Sequence, residues 1–171
     1  RRIAACEPPR QPPVPPPFKS TPDNVTRMDI LVAGGDGFIG RPLCAELADR
    51  GHDVTAMSRS APEESLPDGV THEAGDVTDY DSIQPVVEGH DAVVNLVALS
   101  PLFSPSGGEE AHFEVHLRGT QHLVGAAEEA GVDRFLQQSA LGADPEGPTH
   151  YIRAKGQAEE VVRKSDLDWT I

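Results

Sequence analysis

The stretch Met28-Asp-Ile-Leu-Val-Ala-Gly-Gly-Asp-Gly-Phe-Ile-Gly40 decides the fold of this chain. An apolar run typical of a buried strand is followed at once by glycines at positions 34, 37 and 40, and then by a helical pattern. In this context the glycines permit a tight turn, a close approach of the backbone to a pyrophosphate and close packing of helix on sheet. The N–H groups and dipole of the helix start then face the anion. The stretch therefore predicts a dinucleotide-binding turn whose site residues are Gly34, Gly37, Phe38, Ile39 and Gly40.

Strand and helix patterns alternate through the rest of the sequence. Strands are expected at 29–33, 53–58, 70–74, 92–97, 134–138 and 167–171, and helices at 38–50, from Asp79 or Asp81 to 87, at 109–130 and at 151–163. This order predicts an α/β fold, a Rossmann-type doubly wound parallel sheet with helices on both faces. Because the sequence stops in a strand pattern, we expect residues 28–171 to be truncated at the C-terminal end, without the last strands and most of the substrate-binding segment.

The first 27 residues differ in composition from the remainder. Eight of the first 22 are proline, with little apolar material among them. Such a composition predicts an extended, disordered arm over residues 1–27. A proline-motif ligand and an extension without function are the two interpretations of this arm.

The charge of the chain is strongly acidic, with 28 acidic and 14 basic side chains and a formal net charge of −14. Such a surface repels nucleic acid and anionic lipid, so neither is expected as a partner. The acid-rich, lysine-poor composition is similar to that of proteins from salt-loving cells, and an ordinary acidic cytosolic protein is the alternative. No apolar run reaches the roughly 20 residues that span a bilayer. Cys6 and Cys44 form no disulfide or metal framework, and we therefore expect a cytoplasmic protein.

The end of the second strand pattern bears on the choice of cofactor. Enzymes that select NAD place a carboxylate there to bind the ribose 2′-hydroxyl, whereas this chain has Met57-Ser58-Arg59-Ser60. Arg59 could pair with a 2′-phosphate, which favours NADP(H) over NAD(H); a solvated loop arginine is the alternative. Asp76, followed by Val77, could bind the adenine amino group or cap the next helix. Leu96, Val97 and Ala98 end the fourth strand, where the ligand crevice of such sheets opens.

Tyr151 and Lys155 stand four residues apart on a predicted helix, so both project from one face. A nearby ammonium lowers the pKa of a phenol, which makes Tyr151 a candidate proton donor or acceptor. Lys155 could also bind the nicotinamide ribose. His112 and His116 share the spacing of a zinc pair, but the intervening residues do not match His-Glu-x-x-His and no third ligand is evident. We therefore expect no metal site.

Taken together, residues 28–171 resemble the short-chain dehydrogenase/reductase superfamily in its extended or atypical branch. The resemblance rests on the glycine turn, Gly75-Asp-Val77, Asn95-Leu-Val-Ala98, Gly131-Val-x-Arg-Phe135, Ser139-Ala-Leu-Gly-Ala143 and Tyr151-x-x-x-Lys155. The last two motifs, with Glu159 and Asp168-Trp-Thr-Ile171, are most similar to the group that contains the nucleotide-binding accessory subunit of respiratory complex I and its prokaryotic relatives.

This resemblance implies NAD(P)-dependent oxidoreduction, epimerisation or dehydration of a small carbonyl or hydroxyl substrate. Tyr151 would move the proton, Lys155 would lower its pKa and Ser139 would assist. The alternative is a non-catalytic dinucleotide-binding subunit or redox sensor, peripheral to a membrane on a respiratory complex; relatives also suggest a homodimer. Two departures bear on the choice: His116 stands where extended members usually have Asn, and the family's catalytic Ser or Thr falls on Ser139 or Ala140.

Overall fold

The structure is a computed structural model that describes residues 26–62, 64–100, 105 and 107–171. Its strands are β1 (Asp29–Ala33), β2 (Asp53–Ser58), β3 (Val70–Ala74), β4 (Ala92–Asn95), β5 (Arg134–Gln137) and β6 (Asp168–Thr170). Its helices are α1 (Gly40–Asp49), α2 (Tyr80–Val87), α3 (Gly119–Ala130) and α4 (His150–Lys164), and a π-helical segment at Phe113–Arg118 leads directly into α3. The arm predicted over residues 1–27 lies outside the described residues, except for Thr26 and Arg27.

The six strands form one parallel sheet in the order β3-β2-β1-β4-β5-β6. The order reverses between β1 and β4, and in open parallel sheets a crevice opens beyond the strand ends at that point. Ala33, the last residue of β1, is in register with Met57 of β2 and Asn95 of β4. Three strands therefore end together at one edge, which confirms the predicted Rossmann-type sheet.

Apolar side chains are packed on both faces of the sheet. One cluster joins Leu31, Ile83, Leu123 and Phe135, which come from β1, α2, α3 and β5. The other cluster packs α1 onto β1 and β2 and includes Cys44, whose thiol has its pKa raised to about 11 by burial. All residues from 30 to 33 and from 92 to 95 are buried, as expected for central parallel strands.

Three element boundaries differ from the predicted ones. Helix α1 begins at Gly40 instead of residue 38, because residues 34–39 form the turn. Strand β4 ends at Asn95 instead of residue 97, because the Val97 N–H donates to the Asn95 side chain at 3.1 Å and turns the chain. The helix expected over 109–130 is divided, with π geometry over Phe113–Arg118 and α geometry from Gly119 onward.

Two further observations concern the ends and surface of the domain. Arg27, expected in the arm, makes a two-pronged ion pair with Asp53, with both contacts at 2.5 Å. Among the helices that the structure describes, none is long and apolar enough to cross a bilayer.

Candidate dinucleotide and proton-transfer site

A cleft of about 510 Å³ opens beyond the carboxyl ends of β1, β2 and β4. This volume lies in the usual range of small-molecule sites. All predicted dinucleotide contacts except Lys155 line it: Gly34, Gly37, Phe38, Ile39, Gly40, Arg59, Asp76, Val77, Leu96, Val97 and Ala98. The structure therefore brings together segments that the sequence separates by up to 64 positions.

The glycine turn has little room for side chains. Gly34 has φ +81°, and a Cβ there would lie 3.3 Å from the carbonyl carbon of Leu96. A Cβ on Gly40 would lie 2.2 Å from the Gly34 oxygen, so α1 can start against the turn only with glycine at that position. Helix α1 has no side-chain cap at Ile39. The Arg41 N–H donates to the Gly37 oxygen at 3.0 Å, and Pro42 has no N–H. The N–H groups of Phe38, Ile39 and Gly40 are therefore the ones that face an anion in the cleft, which fits a pyrophosphate.

The end of β2 is anchored to this turn, since the Gly34 N–H donates to the Met57 oxygen at 2.8 Å. Arg59, two residues further on, is exposed on the cleft wall and makes no ion pair with any residue that the structure describes. Ser58 and Ser60 line the same wall, and the Ser58 hydroxyl donates to the Ser60 oxygen at 2.9 Å. The wall therefore offers a free guanidinium beside two serines.

Asp76 has a structural role as well as a place on the cleft. Its Oδ1 accepts hydrogen bonds from the Thr78 N–H at 2.9 Å and from the Thr78 hydroxyl at 2.8 Å, and its own N–H donates to the Ser82 hydroxyl at 3.0 Å. These bonds shape the turn into α2. One carboxylate oxygen is therefore engaged in the turn, and Oδ2 has no hydrogen bond to the described residues.

A buried polar network holds the opposite wall of the cleft. The Asn95 amide donates to Gln137 Oε1 at 3.0 Å and to the Thr120 hydroxyl at 3.3 Å. The Thr120 hydroxyl in turn donates to the His116 oxygen at 2.7 Å. The network thereby connects the loop after β4, the strand β5 and the π-helical segment.

Lys155 is connected to the cleft by a hydrogen bond to a main-chain oxygen. Its ammonium is only 2 % exposed and donates to the Gln138 oxygen at 3.0 Å, and Gln138 lines the cleft. Burial lowers the pKa of Lys155 to about 8. The ammonium is thus held at the cleft wall, where a small change in its surroundings would alter its charge.

The structure does not support the expected lowering of the Tyr151 pKa. Burial raises the pKa of Tyr151 above the ordinary phenol value, and Lys155 is directed instead to the Gln138 oxygen. Tyr151 and Ser139 are not among the residues that line the cleft. The Ser139 hydroxyl is buried without a hydrogen-bond partner in the described part of the chain.

Sequence reasoning considered His112 and His116 as a possible zinc pair and did not predict that they pack together against Tyr151. Both are buried, their rings stack with centroids 5.6 Å apart, and the Tyr151 ring lies edge-on to both, at 5.6 and 5.3 Å. Burial, followed by the charges of Lys155 and His112, lowers the pKa of His116 to about 3. No group of three metal-ligating side chains occurs within the described residues. The signal in the sequence was the four-residue spacing of His112 and His116, which places both side chains on one face of a helix.

The sequence also left out several cleft-lining residues, most of them within two positions of a predicted one. These are Asp36, Met57, Ser58, Ser60, Gly75, Thr78, Leu99, Val115 and Gln138. Most of them could have been found by extending each motif by one or two positions. Val115 could not, because its place depends on how the π-helical segment packs against the rest of the domain.

The sheet order, the glycine turn and the cleft at the reversal point define a dinucleotide-binding Rossmann domain. The chain belongs to the NAD(P)H-binding family, whose model matches residues 34–171. The resemblance to short-chain dehydrogenases/reductases is thereby confirmed.

The chain is similar to named proteins over most of its own length. It is 33% identical over 140 residues, 82% of this chain and 41% of the relative, to 2-alkyl-3-oxoalkanoate reductase of Stenotrophomonas maltophilia. It is 32% identical over 155 residues, 86% of this chain and 38% of the relative, to the mitochondrial NADH dehydrogenase [ubiquinone] 1 alpha subcomplex subunit 9 of Arabidopsis thaliana. The structure of Thermus thermophilus UDP-glucose 4-epimerase with NAD matches with a TM-score of 0.68, at 26% identity, over 83% of this chain and 53% of that one. The chain spans about two fifths of the length of these two curated relatives.

Proposed function

We propose that this chain is the dinucleotide-binding part of an NAD(P)-dependent oxidoreductase or epimerase/dehydratase that acts on a small carbonyl or hydroxyl substrate. The observation that carries the proposal is the cleft, which is lined by both the glycine turn and Gln138. The Gln138 oxygen accepts a hydrogen bond from the Lys155 ammonium. The N–H groups of Phe38, Ile39 and Gly40 at the start of α1 would bind the pyrophosphate. Reductases and epimerases among the similar proteins support this choice.

The chemistry divides between the bound cofactor and the protein. When bound, the nicotinamide would supply or accept a hydride at C4. Tyr151 would move the proton at the substrate oxygen, and its raised pKa keeps the phenol protonated at neutral pH, as a proton donor requires. Lys155 would bind the nicotinamide ribose and Ser139, with its unpartnered hydroxyl, would hold the substrate oxygen.

NADP(H) is the preferred cofactor in this proposal. Arg59 lies exposed on the cleft wall without an ion-pair partner in the described ranges, and residues 57–60 contain no carboxylate. A guanidinium in this position can form a two-pronged contact with a 2′-phosphate, and a carboxylate for the 2′-hydroxyl of NAD is missing there.

A second candidate is a dinucleotide-binding structural subunit or redox sensor that docks on a respiratory complex. The similarity to the Arabidopsis complex I subunit favours it. In this case the cleft would hold the cofactor for structural stability, and Tyr151 would have no role in turnover.

Replacing Tyr151 with Phe separates the two candidates. Turnover of NADPH with a 2-alkyl-3-oxoalkanoate or of a nucleotide sugar should fall by about 10² or more, because the proton donor is lost, while cofactor affinity stays the same. Tyr80→Phe is the matched control, since its hydroxyl pairs with Glu129 on the far side of α3. Wild-type protein that binds the cofactor but turns over neither substrate class, with partner docking unaffected by Tyr151→Phe, would support the structural subunit.

A further inference from the structure

Three histidines lie beside Tyr151 and lead from the surface into the protein; we refer to His112, His116 and His150 as the histidine cluster. His150 is at the surface end, where it contacts the carboxylates of Glu109 and, at 3.6 Å, Glu110. Burial, followed by the charge of His150, lowers the pKa of His112, so the two imidazoles lie within electrostatic reach. His116 is at the inner end and only 2 % exposed, and burial, followed by the charge of Lys155, lowers its pKa.

The inner two imidazoles have unused hydrogen-bonding capacity. His112 Nδ1 and both nitrogens of His116 are buried without a hydrogen-bond partner among the described residues. A neutral imidazole has one N–H donor and one acceptor nitrogen, and burying either unpaired is unfavourable. Natural proteins seldom leave such groups unpaired, and a catalytic role is one of the recognised reasons.

The backbone that carries His116 is also unusual. Residues Phe113–Arg118 form a π-helical turn, in which the Gly119 N–H bonds to the Glu114 oxygen. Such turns occur inside helices and are frequent at functional sites. Here the turn is held by the bond from the Thr120 hydroxyl to the His116 oxygen, which fixes His116 against Tyr151.

We propose that His116 and His112 carry protons between Tyr151 and bulk water, with His150 at the entrance. The inference rests on the proposed function, in which Tyr151 gives its hydroxyl proton to the substrate oxygen. Because these groups are not hydrogen-bonded to one another, each transfer passes through a bridging water. The phenolate takes a proton from such a water, which takes one from a nitrogen of His116; the other nitrogen of His116 is refilled in the same way from His112, and His112 from bulk water through His150. No electrons move in this relay, and it runs in reverse when a substrate hydroxyl is oxidised.

The charges around the cluster are suited to this direction of transfer. The groups that face it are Tyr151, Lys155 and His150 from α4, and Glu109 and Glu110 at the surface end. Burial, followed by the charge of Lys155, keeps His116 neutral. A neutral imidazole can release a proton from one nitrogen while it accepts another at the opposite nitrogen, so it need not rest in the charged form.

Proton exchange at Tyr151 tests the relay without any cofactor or substrate. In Tyr80→Phe protein, Tyr151 is the only remaining tyrosine of the sequence. Relaxation dispersion of its ¹³Cζ resonance near the phenol midpoint measures how fast the hydroxyl proton exchanges with water. His116→Phe and His112→Phe should each slow the exchange about tenfold or more, and imidazole added to His116→Ala protein, in which the truncation leaves a cavity, should restore it. His90→Gln, a change in a loop histidine outside the cluster, should leave the rate unchanged.

The melting temperature of the same variants separates a relay from a packing role. Phenylalanine fills the space of His116 without unpaired nitrogens, so the melting temperature should stay equal or rise. Unchanged exchange in both variants would overturn the proposal, and so would slowed exchange that imidazole does not restore. Failure of the protein to bind any dinucleotide would overturn the proposed function and leave this exchange measurement intact.

Discussion

Lys155 is a buried ionisable side chain whose charge lowers the stability of the folded protein. Its ammonium is almost fully buried and has one hydrogen bond, to the Gln138 oxygen. Desolvation of the charged form lowers its pKa from 10.5 to about 8. Keeping a charge there destabilises the folded protein at neutral pH, and such a residue is retained where its charge is needed.

The stability of the protein should therefore depend on Lys155 between pH 8 and 10.5. In this window the unfolded chain binds more protons than the folded one, so the contribution of Lys155 to stability rises with pH and is constant below about pH 8. The gain is about 3 kcal/mol at most. Lys155→Met should lack it, as measured by urea unfolding against pH.

The difference between wild type and Lys155→Met is the quantity to compare, because Cys44 acts in the opposite direction. Burial raises the pKa of its thiol from 9.0 to about 11, so its contribution is lost as pH rises through that range. Parallel pH curves for the two proteins would contradict the buried charge of Lys155.

At the level of elements, the π-helical segment depends on a single hydroxyl. Thr120 is fully buried, donates to the His116 oxygen and accepts from the Asn95 amide. The hydrogen bond from the Asn95 amide to the Thr120 hydroxyl joins β4 to α3. It thereby also connects α3 to residues 96–98, which follow β4 and lie on the cleft wall.

Thr120→Val should lower the free energy of unfolding by about 1–3 kcal/mol, because it leaves two buried polar groups with fewer partners. Thr55→Val is the matched control, since the Thr55 hydroxyl faces Thr71 in a partly exposed position, and the change should stay within about 0.5 kcal/mol. Guanidinium unfolding measures both. A Thr120→Val protein as stable as wild type would show that the network does not hold the segment.

The sequence predicted elements well where local pattern decides and less well where side chains from other elements intervene. β2 and β3 were predicted with their exact bounds, because alternating and β-branched residues between turn signals have no competing pattern. β4 ends two residues earlier than predicted because the Asn95 side chain takes the Val97 N–H, a bond that periodicity does not report. The π geometry at Phe113–Arg118 was likewise invisible, since its residues fit an α-helix equally well.

The same reasoning applies to the site. Most residues that line the cleft could be predicted because a glycine turn, a strand end and a loop each have a short local motif. The buried surroundings of Tyr151 could not, because they come from two helices whose packing the sequence does not state. The expected lowering of its pKa failed for this reason: Lys155 is four residues away, but its ammonium is directed to the Gln138 oxygen.

For the whole molecule, the dominant property is its negative charge, formally −14. The ion pairs among the described residues are mainly exposed, as in Arg50 with Glu46 and Lys164 with Glu160, and such pairs contribute little. Repulsion between carboxylates therefore opposes folding at low salt.

The melting temperature should rise between about 0.1 and about 1 M KCl, because salt screens this repulsion. The triple variant Asp49→Asn, Glu88→Gln and Asp133→Asn removes three exposed carboxylates that have no ion-pair partner within the described ranges. It should melt higher than wild type at low salt and respond less to KCl, as followed by calorimetric scanning. An identical salt response of the two proteins would contradict the role assigned to charge.

The central claim is that the cleft binds a dinucleotide and that Arg59 selects NADP(H), and calorimetric titration with NADPH and NADH in molar KCl tests it most directly. Wild type should bind NADPH about tenfold more tightly than NADH, Arg59→Gln should lose that preference, and Gly37→Val should bind neither. Arg50→Gln, a change on the outer surface of α1, is the control and should behave as wild type. Equal affinities that Arg59→Gln leaves unchanged would contradict the selection by Arg59, and a wild-type protein that binds neither dinucleotide would contradict the assignment of the cleft itself.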